Sequence, residues 1–528
     1  MALNKAVVGL LVVVSVLMTG TAAMAQSPVV MTYLEGQVIT TIDPAKHTDE
    51  SSLHIVLNQY DPLLYPKDAE GSMEPGPHIA TDWTVSDDGL TYTFNIRRGV
   101  KFHDGTELTA EDVKFSFDRM MAIGRGYSWL WEGVVREVEV RDDHTVAFHL
   151  HQPYAPFLST LIQLFIVNKD LVMANLQAGE FGEYGDYGQK FLEENVAGSG
   201  PYMKERWSRG SEYVMVRFDD YWRGWQPGQV ERVHYKIVLE EAVRKTMLRA
   251  GEADMIDQWA SVETFNDLKR TPGVIVDEQP SAQLFHLPLN TQKAPTDNLH
   301  VRKALAYAFD YETALKYIFP GAVQARGPVP VLAYGHNPDV PVFTFDLEKA
   351  REHLALAGYE PGELTIDFVY SASVPMQEKV GLMWQAHLAE IGINLNIRPE
   401  PWGRVTELST SVDTTPHVLN IFDTLKYPHA DSHTFGMYHP SAHGSYRATA
   451  WLDVPEITET LEAARRAVTE EEQLELYGEA QRLIVEQVPS VFVANPVHRI
   501  AFRDHVKGYR YVGLLGFDVA FYNFTIEQ

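Results

Sequence analysis

Apolar and polar residues alternate along the segment from Leu90 to Ile96, which reads Leu-Thr-Tyr-Thr-Phe-Asn-Ile. This period of two is typical of a β-strand with one buried face. Turn-forming residues flank the strand, with Asp87-Asp88-Gly89 before it and Asp104-Gly105 after it. Thr109-Ala-Glu-Asp112 then has the spacing of a capping box and precedes apolar residues at helical intervals. The pattern from Ile79 to Arg119 therefore predicts a hairpin, a second turn and a helix start.

Strand-like and helix-like patterns are mixed along the whole chain, which is typical of an α/β or α+β architecture. Further predicted strands are Val29–Leu34, Arg136–Val140, Thr145–Leu150 and Ile393–Ile397. Predicted helices are 241–257 with a break at Gly251, 300–319 ended by Pro320-Gly321, 346–357 and 375–391. A charged amphipathic segment, 456–487, stops at Pro489, and its run Glu470-Glu471-Glu472 indicates a solvated helix start.

The segment from Ile79 to Arg119 resembles the family 5 solute-binding proteins of bacterial ABC importers, which include receptors for dipeptides, oligopeptides and nickel. The resemblance covers nearly the whole mature chain. It continues in Val196-Ala-Gly-Ser-Gly-Pro-Tyr202, Phe218-Asp-Asp-Tyr-Trp222, Asn290-Thr291 followed by Val301-Arg-Lys-Ala-Leu305, and Leu476-Tyr477 to Pro489. A match of this length identifies a family, though not a ligand.

The resemblance implies an α/β, two-lobed periplasmic binding protein fold of the cluster C type, with an extra subdomain inserted in the first lobe. By analogy, the first lobe uses residues 26–60, 182–285 and 490–528, the inserted subdomain is 61–181, and the second lobe is 286–489. The lobes are expected to close on the ligand at a hinge made by crossing strands. Val491–Ala494 and the segment 509–517 would carry the chain back across this hinge.

Residues 1–25 have the features of a secretory signal peptide, with Lys5 as the positive region. The apolar stretch Ala6–Met18 has thirteen residues, fewer than the roughly 20 that span a bilayer, which disfavours a retained anchor. Ala23-Met24-Ala25 places small residues before a cleavage site at Gln26. The chain has no cysteine, hence no disulfide and no lipid-anchored cysteine. We expect a free periplasmic protein of a Gram-negative bacterium.

The 528-residue chain is too long for one hydrophobic core, which predicts two or three domains. Its net charge is −27, and the signal peptide carries one lysine and no acid, so the mature chain has −28. Such an acidic surface disfavours nucleic acid and anionic membranes as partners. The sequence lacks the HExxH, P-loop and GxSxG motifs and a cysteine nucleophile. We expect a monomeric binding protein that is not an enzyme and needs no cofactor, with a hydrolase of unrecognised motif as an alternative.

Histidines are concentrated in one part of the chain. They are His417, His429, His433, His439 and His443. Two pairs among them have i,i+4 spacing, which on a helix would put both imidazoles on one face, as a transition-metal site needs. Pro428, Pro440 and Gly444 argue against a helix there. We therefore predict no metal site, and a receptor for nickel or another metal chelate remains the alternative.

Aromatic residues make up 11% of the chain. Their flat faces suit ligands with variable side chains or sugar rings. Candidates for the lining of a cleft are Trp129, Trp131, Tyr154, Trp259, Trp402, Tyr427 and Tyr438. Trp402 is the strongest candidate, because Pro399-Glu-Pro-Trp402 matches the tryptophan at a strand end that approaches the ligand in the family that this chain resembles.

The loop from Asn420 to Phe435 carries the main departure from the peptide-binding relatives. In those relatives an acid follows a Gly-Trp pair and holds the α-ammonium of the peptide. Here Lys426 falls at the acid's place, and Phe422-Asp423 replaces the Gly-Trp pair. Lysine repels an ammonium and attracts a carboxylate or phosphate, whereas Asp423 would restore amine binding. Glu35, after the first strand, and His429 complete the predicted ligand-binding residues.

The expected ligand is a peptide-like or other small polar solute. The departure at Lys426 leaves acidic peptides, modified amino-acid conjugates and oligosaccharides open. The resemblance implies an inner-membrane ABC permease complex as the protein partner.

Overall fold

The computed structural model describes residues 28–67, 72–467 and 469–527. The predicted signal peptide, 1–25, lies outside the described residues. The strands are β1 (Val30–Glu35), β2 (Leu64–Pro66), β3 (Pro75–Pro77), β4 (Ala80–Val85), β5 (Thr91–Ile96), β6 (Val135–Asp142), β7 (Thr145–Leu150), β8 (Tyr202–Ser208), β9 (Glu212–Arg217), β10 (Arg232–Ile237), β11 (Met255–Ile256), β12 (Val274–Pro280), β13 (Gln283–Pro288), β14 (Val323–Gln324), β15 (Leu364–Ser371), β16 (Ile393–Glu400), β17 (Val418–Leu419), β18 (Ile421–Thr424), β19 (Ser490–Asn495), β20 (Val497–Arg503), β21 (Val506–Lys507) and β22 (Thr525–Ile526).

The α-helices alternate with these strands. They are α1 (Glu50–Gln59), α2 (Ala110–Ile123), α3 (Phe157–Thr160), α4 (Lys169–Met173), α5 (Gln189–Leu192), α6 (Glu241–Ala250), α7 (Val262–Leu268), α8 (Leu299–Tyr307), α9 (Tyr311–Thr313), α10 (Leu347–Ala357), α11 (Pro375–Glu390), α12 (Trp402–Leu408), α13 (Phe435–Tyr438), α14 (Pro455–Arg466) and α15 (Glu470–Glu486). In the described residues, no helix combines the length and the apolar character that a membrane span requires.

A seven-stranded sheet has the order β12-β20-β11-β1-β10-β9-β8. Its central strand, β1, runs parallel to both neighbours, β10 and β11. Met31, Tyr33 and Leu34 of this strand are buried, which fits a central position with both faces covered.

The second half contains a four-stranded sheet, β14-β19-β13-β18, and a three-stranded sheet, β16-β15-β17. A bridge between Leu289 and Val418 connects them. Strands β15 and β16 are parallel, and α11 forms the crossover between them. Trp384 fixes this helix, because its ring is buried and its Nε1 donates to the carbonyl of Leu305 at 3.2 Å.

A separate antiparallel sheet, β4-β5-β7-β6, forms from residues 80–150. The predicted strand 90–96 is β5, and α2 begins at the predicted capping box, where the Thr109 N–H donates to Asp112 Oδ2 at 2.9 Å. The local pattern around Ile79 to Arg119 is thus confirmed as hairpin, turn and helix.

Two chain crossings join the seven-stranded sheet to the four-stranded sheet. The first is Ser281-Ala282, between β12 and β13, and the second is Pro496, between β19 and β20. The crossings are adjacent, since the Ser281 hydroxyl donates to the Pro496 carbonyl and Asn495 Nδ2 donates to the Gln283 carbonyl at 2.9 Å. The two crossings therefore connect the two halves side by side. The residue boundaries predicted for the lobes and the inserted subdomain stay a prediction.

Two of the predicted helices are wrong in extent. The helix predicted at 300–319 ends at Tyr307, because Asp310 accepts from the Thr313 N–H at 3.0 Å and caps a new helix. The predicted break at Gly251 is confirmed, since α6 ends at Ala250 and Gly251 has φ +75°, but the helix does not resume after it, because Met255–Ile256 is a strand.

Candidate functional site

A cavity lies where the carboxyl ends of parallel strands from both halves meet. Gln37 follows β1, Trp259 follows β11, Ser371 ends β15 and Trp402 follows β16. The other lining residues are Glu50, Val374, Gln377, Phe422, Thr424, Tyr446 and Leu515. Carboxyl ends of parallel strands are the usual ligand-binding edge of α/β sheets. The topology therefore marks this cavity as the candidate site.

The cavity is small in this conformation, with a volume of about 30 Å³. A single water needs roughly 10–15 Å³ measured in this way, so the space holds about two waters. Pockets for small-molecule ligands have roughly 300–1,000 Å³. A dipeptide-sized solute therefore enters only when the walls from the two halves separate.

Glu50 supplies an acid to the cavity from the start of α1. The N-cap of this helix is Asp49, whose carboxylate accepts from the Ser52 N–H at 2.9 Å. The Glu50 side chain is 7% exposed, and its Oε1 accepts from Gln258 Nε2 at 2.6 Å. Its Oε2 is buried and has no hydrogen-bond partner among the described residues. Burial, together with the nearby Glu35, raises the pKa of Glu50 well above its ordinary value.

Glu50 was missed by the sequence prediction, although the sequence contains a signal for it. All ten residues of α1 are buried, and Glu50, His54 and Asn58 recur at i,i+4 spacing within it. A buried helix that carries a polar stripe needs partners for that stripe. His54 Nδ1 bonds to the Tyr235 hydroxyl at 3.0 Å, and Asn58 Nδ2 donates to the Val519 carbonyl at 2.9 Å. For Glu50, only Oε1 has a hydrogen-bond partner among the described residues, and Oε2 has none.

Trp402, the leading aromatic candidate, stands in the cavity wall at the first position of α12. Its ring lies edge-on to that of Tyr446, with centroids 5.0 Å apart. The indole Nε1 is buried, and the described part of the chain offers it no hydrogen-bond acceptor. Among the other aromatic candidates, Trp259 also lines the cavity. The cavity lining thus includes an unpaired donor on Trp402 and an unpaired acceptor on Glu50.

Asp423 and Lys426 lie together behind Tyr446, which forms part of the cavity wall. Both side chains are fully buried, with Lys426 Nζ 3.2 Å from Asp423 Oδ1. Arg447, which the sequence prediction missed, donates from Nε to Asp423 Oδ2 at 2.8 Å. Lys426 Nζ also donates to the Tyr446 hydroxyl at 3.1 Å, and Tyr446 lines the cavity. Two cations therefore share one carboxylate at this wall.

The charge states of this cluster follow from burial and pairing. Burial alone would raise the pKa of Asp423, but the charges of Arg447 and Lys426 hold it well below its ordinary value. Burial lowers the pKa of Lys426 to about 8, against the attraction of Asp423. Burial also lowers the pKa of His433 to about 4, so this neighbouring imidazole is neutral. At neutral pH the cluster has an excess positive charge.

Glu35 and His429 are placed away from the cavity lining. Glu35 accepts from the Tyr235 hydroxyl at 2.9 Å and from the Gln37 N–H at 3.1 Å. His429 Nε2 lies 3.3 Å from Gln473 Oε1, and its Nδ1 accepts from the Asp431 N–H at 3.1 Å. Neither carboxylate nor imidazole is among the cavity-lining groups that the structure describes. Of the five predicted residues, only Trp402 lines the cavity, whereas Asp423 and Lys426 lie behind it and reach it through Tyr446.

The remaining histidines of the crowded stretch have separate environments. His417 Nε2 bonds to the Ala294 carbonyl at 2.9 Å, His439 stacks on Phe435, and His443 packs beside Trp451. Within residues 28–67, 72–467 and 469–527, no three His, Asp or Glu side chains are arranged to hold a metal ion.

Known proteins are similar to this chain in both sequence and fold. Residues 74–445 match the family model described as Bacterial extracellular solute-binding proteins, family 5 Middle. The Dipeptide-binding protein of Escherichia coli K12 is 30% identical over 465 residues, which cover 83% of this chain and 84% of that protein. The Probable D,D-dipeptide-binding periplasmic protein DdpA of the same strain is 29% identical over 476 residues, which cover 89% of each chain.

A solved structure confirms the predicted α/β fold with two lobes. The periplasmic binding protein DppA of Helicobacter pylori, in complex with the peptide STSA, superposes with a TM-score of 0.85 at 27% identity. The superposition covers 94% of this chain and 98% of that one. All three relatives are named as binding proteins, and the one from Helicobacter pylori is associated with an ABC transporter. The chain belongs to family 5 of the bacterial extracellular solute-binding proteins.

Proposed function

We propose that this protein is the periplasmic substrate-binding component of an ABC importer. It captures a peptide-like solute with an acidic group between its two lobes and delivers the solute to an inner-membrane permease complex. The dipeptide-binding relatives support the transport role and the peptide-like class. Structures of the same fold hold agropinic acid, at 22% identity, and a nickel–histidine complex, at 20% identity, so the fold by itself leaves the ligand open.

The observation that carries the proposal is the pair of unsatisfied polar groups in the cavity. Glu50 Oε2 is an acceptor and Trp402 Nε1 is a donor, and both are buried without a partner in the part of the chain described. A buried polar group without a partner costs roughly 1–3 kcal/mol, so a pair of such groups in the wall of one cavity supports a ligand that bonds to both. A peptide supplies an ammonium for the first group and a carbonyl oxygen for the second.

The positive cluster adds a preference for a negative group. Lys426 and Arg447 outnumber Asp423, and the Tyr446 hydroxyl connects Lys426 to the cavity. Asp423 is held by both cations, so it is not free to take an amine. Glu50, on the other half of the molecule, is the better site for the amine. This arrangement favours zwitterionic peptides and amino-acid conjugates over neutral oligosaccharides.

The first experiment is mass spectrometry of small molecules released from the purified, denatured mature protein. A peptide or acidic amino-acid conjugate supports the proposal, and a sugar without charge or a metal chelate refutes it. Calorimetric titration with Ala-Ala then tests the two polar groups. Glu50→Gln and Trp402→Phe should each weaken binding about 10-fold, as expected for loss of one buried hydrogen bond. Glu456→Gln, an exposed acid in the first turn of α14, is the matched control and should leave binding unchanged.

A further inference from the structure

A large groove opens next to the cavity, with a volume of about 880 Å³. One wall comes from residues 40–49 and 121–132, and the opposite wall from residues 406–410 and 441–446. Tyr446 belongs to the lining of both the groove and the cavity. The two spaces are therefore neighbours that share one side chain.

The side chain of Tyr446 separates the cavity from the groove. Its hydroxyl donates to the Thr48 carbonyl at 3.2 Å and accepts from Lys426 Nζ at 3.1 Å. The first bond links the two opposing walls. The Tyr446 ring also lies edge-on to Trp402 in the cavity wall, so this side chain contacts both spaces.

The groove has cations that are not paired. Lys46 and Arg125 line it, and neither forms an ion pair with another described residue. Two acids, Asp43 and Glu193, feel the charge of Lys46, and each is already paired, with Arg119 at 2.7 Å and with Lys190 at 2.8 Å. Acids are more numerous than bases in the chain, 71 against 44, so two unpaired cations in one groove are unusual for this surface.

The acids of the groove are largely engaged elsewhere. Asp49 is buried and caps α1, and Glu407 is paired with Arg404 at 2.6 Å. Glu132 is exposed at the rim. The excess positive charge of the Lys426 cluster lies behind Tyr446 and adds to the field in the groove.

We propose that this groove is a second subsite, which takes an anionic tail of the solute. The tail carries a carboxylate or phosphate beyond the part that fills the cavity, and Lys46 and Arg125 bind it. The inference rests on the proposed function, since it extends the same ligand past Tyr446. Among peptides, the preferred ligand is one with an acidic side chain at its third residue.

The test compares the tripeptides Ala-Ala-Glu and Ala-Ala-Gln by calorimetric titration of the full mature protein. They have nearly equal size and differ by one charge. Two partly exposed ion pairs should favour the glutamate peptide by about 5- to 10-fold at low salt. In Lys46→Met/Arg125→Met this preference should fall to about 1- to 2-fold. In Lys316→Met/Arg249→Met, which removes two exposed cations outside the groove, the preference should remain.

Each outcome distinguishes the two proposals. If wild-type protein binds neither Ala-Ala nor the tripeptides, the proposed function fails, and the subsite fails with it. If Ala-Ala binds and the two tripeptides bind equally, only the subsite is refuted. A preference that survives Lys46→Met/Arg125→Met also refutes it. Raising the salt from about 0.02 M to 0.5 M should shrink the preference, because exposed charges are screened.

Discussion

Replacing Lys426 by methionine should stabilise the unliganded protein at neutral pH. The ammonium is fully buried, and burial lowers its pKa from 10.5 to about 8. Methionine fills a similar volume without a charge. Asp423 keeps its stronger partner, because Arg447 remains within 2.7 Å of it. The variant therefore removes a buried charge and leaves a neutral ion pair behind.

The expected gain follows from the pKa difference between the folded and unfolded states. A lysine in the unfolded chain has a pKa near 10.4, so the folded value of about 8 is lower by roughly 2.4 units. Each unit corresponds to about 1.4 kcal/mol, which gives a protonation cost of about 3 kcal/mol below pH 8. Between pH 8 and 10.4 the unfolded state binds more protons than the folded state, so wild-type stability rises with pH in this window. The variant lacks this rise.

Urea unfolding at pH 7 and at pH 10 measures the effect. Lys426→Met should be more stable than wild type by about 1–3 kcal/mol at pH 7, and the gain should nearly vanish at pH 10. Lys316→Met, an exposed substitution, serves as the control and should show no such pH dependence. A loss of stability at pH 7, or a gain that persists at pH 10, would show that Lys426 is a structural counterion and refute the reasoning.

Three further predictions concern buried groups on both sides of the cleft. Arg465→Met should lower the free energy of unfolding by about 3–5 kcal/mol, since it leaves the buried Asp431 without its cation at 2.8 Å; a loss below 1 kcal/mol in urea unfolding contradicts this. Binding of Ala-Ala should release a proton, because the ligand ammonium ionises Glu50, whose pKa is raised in the free protein; equal calorimetric heats in phosphate and Tris would argue against it. For the same reason, affinity should increase with pH below the pKa of Glu50. Gln258→Ala should weaken Ala-Ala binding about 10-fold, as it removes the 2.6 Å hydrogen bond that orients Glu50, and unchanged affinity would refute that role.

The sequence predicted the local elements well where a short pattern determines them. The capping box at Thr109 and the strand 90–96 depend on neighbours within a few residues, and both form as expected. The helix start at Glu470 is likewise present, with Thr469 as its N-cap. The helix predicted at 300–319 was wrong because Asp310 competes for the backbone by capping a new helix.

The cavity was harder to predict because its lining comes from strand ends that are far apart in the sequence. Glu35 and Gln37 are two positions apart at the end of β1. Gln37 lines the cavity, whereas the Glu35 carboxylate bonds to the Tyr235 hydroxyl. Position near a strand end could not distinguish them. Trp402 was found through the family resemblance, whereas Glu50 required knowledge that α1 is buried on every side. The missing information was the tertiary environment of each side chain.

Two buried aspartates, Asp423 near the end of β18 and Asp431 in the segment after it, differ in how far their oxygens are satisfied. Asp431 is saturated, since Arg465 binds both of its oxygens and the hydroxyls of Tyr427 and Tyr477 donate to it at 2.6 and 2.7 Å. Asp423 is not saturated, because its Oδ1 has only the ion pair with Lys426 and no hydrogen bond from any residue described. A fully satisfied acid stabilises the fold, whereas two cations that share one carboxylate beside a cavity retain capacity for an anionic ligand. Asp431→Asn should therefore reduce stability more than binding, and Lys426→Met should reduce the affinity for acidic solutes while it raises stability.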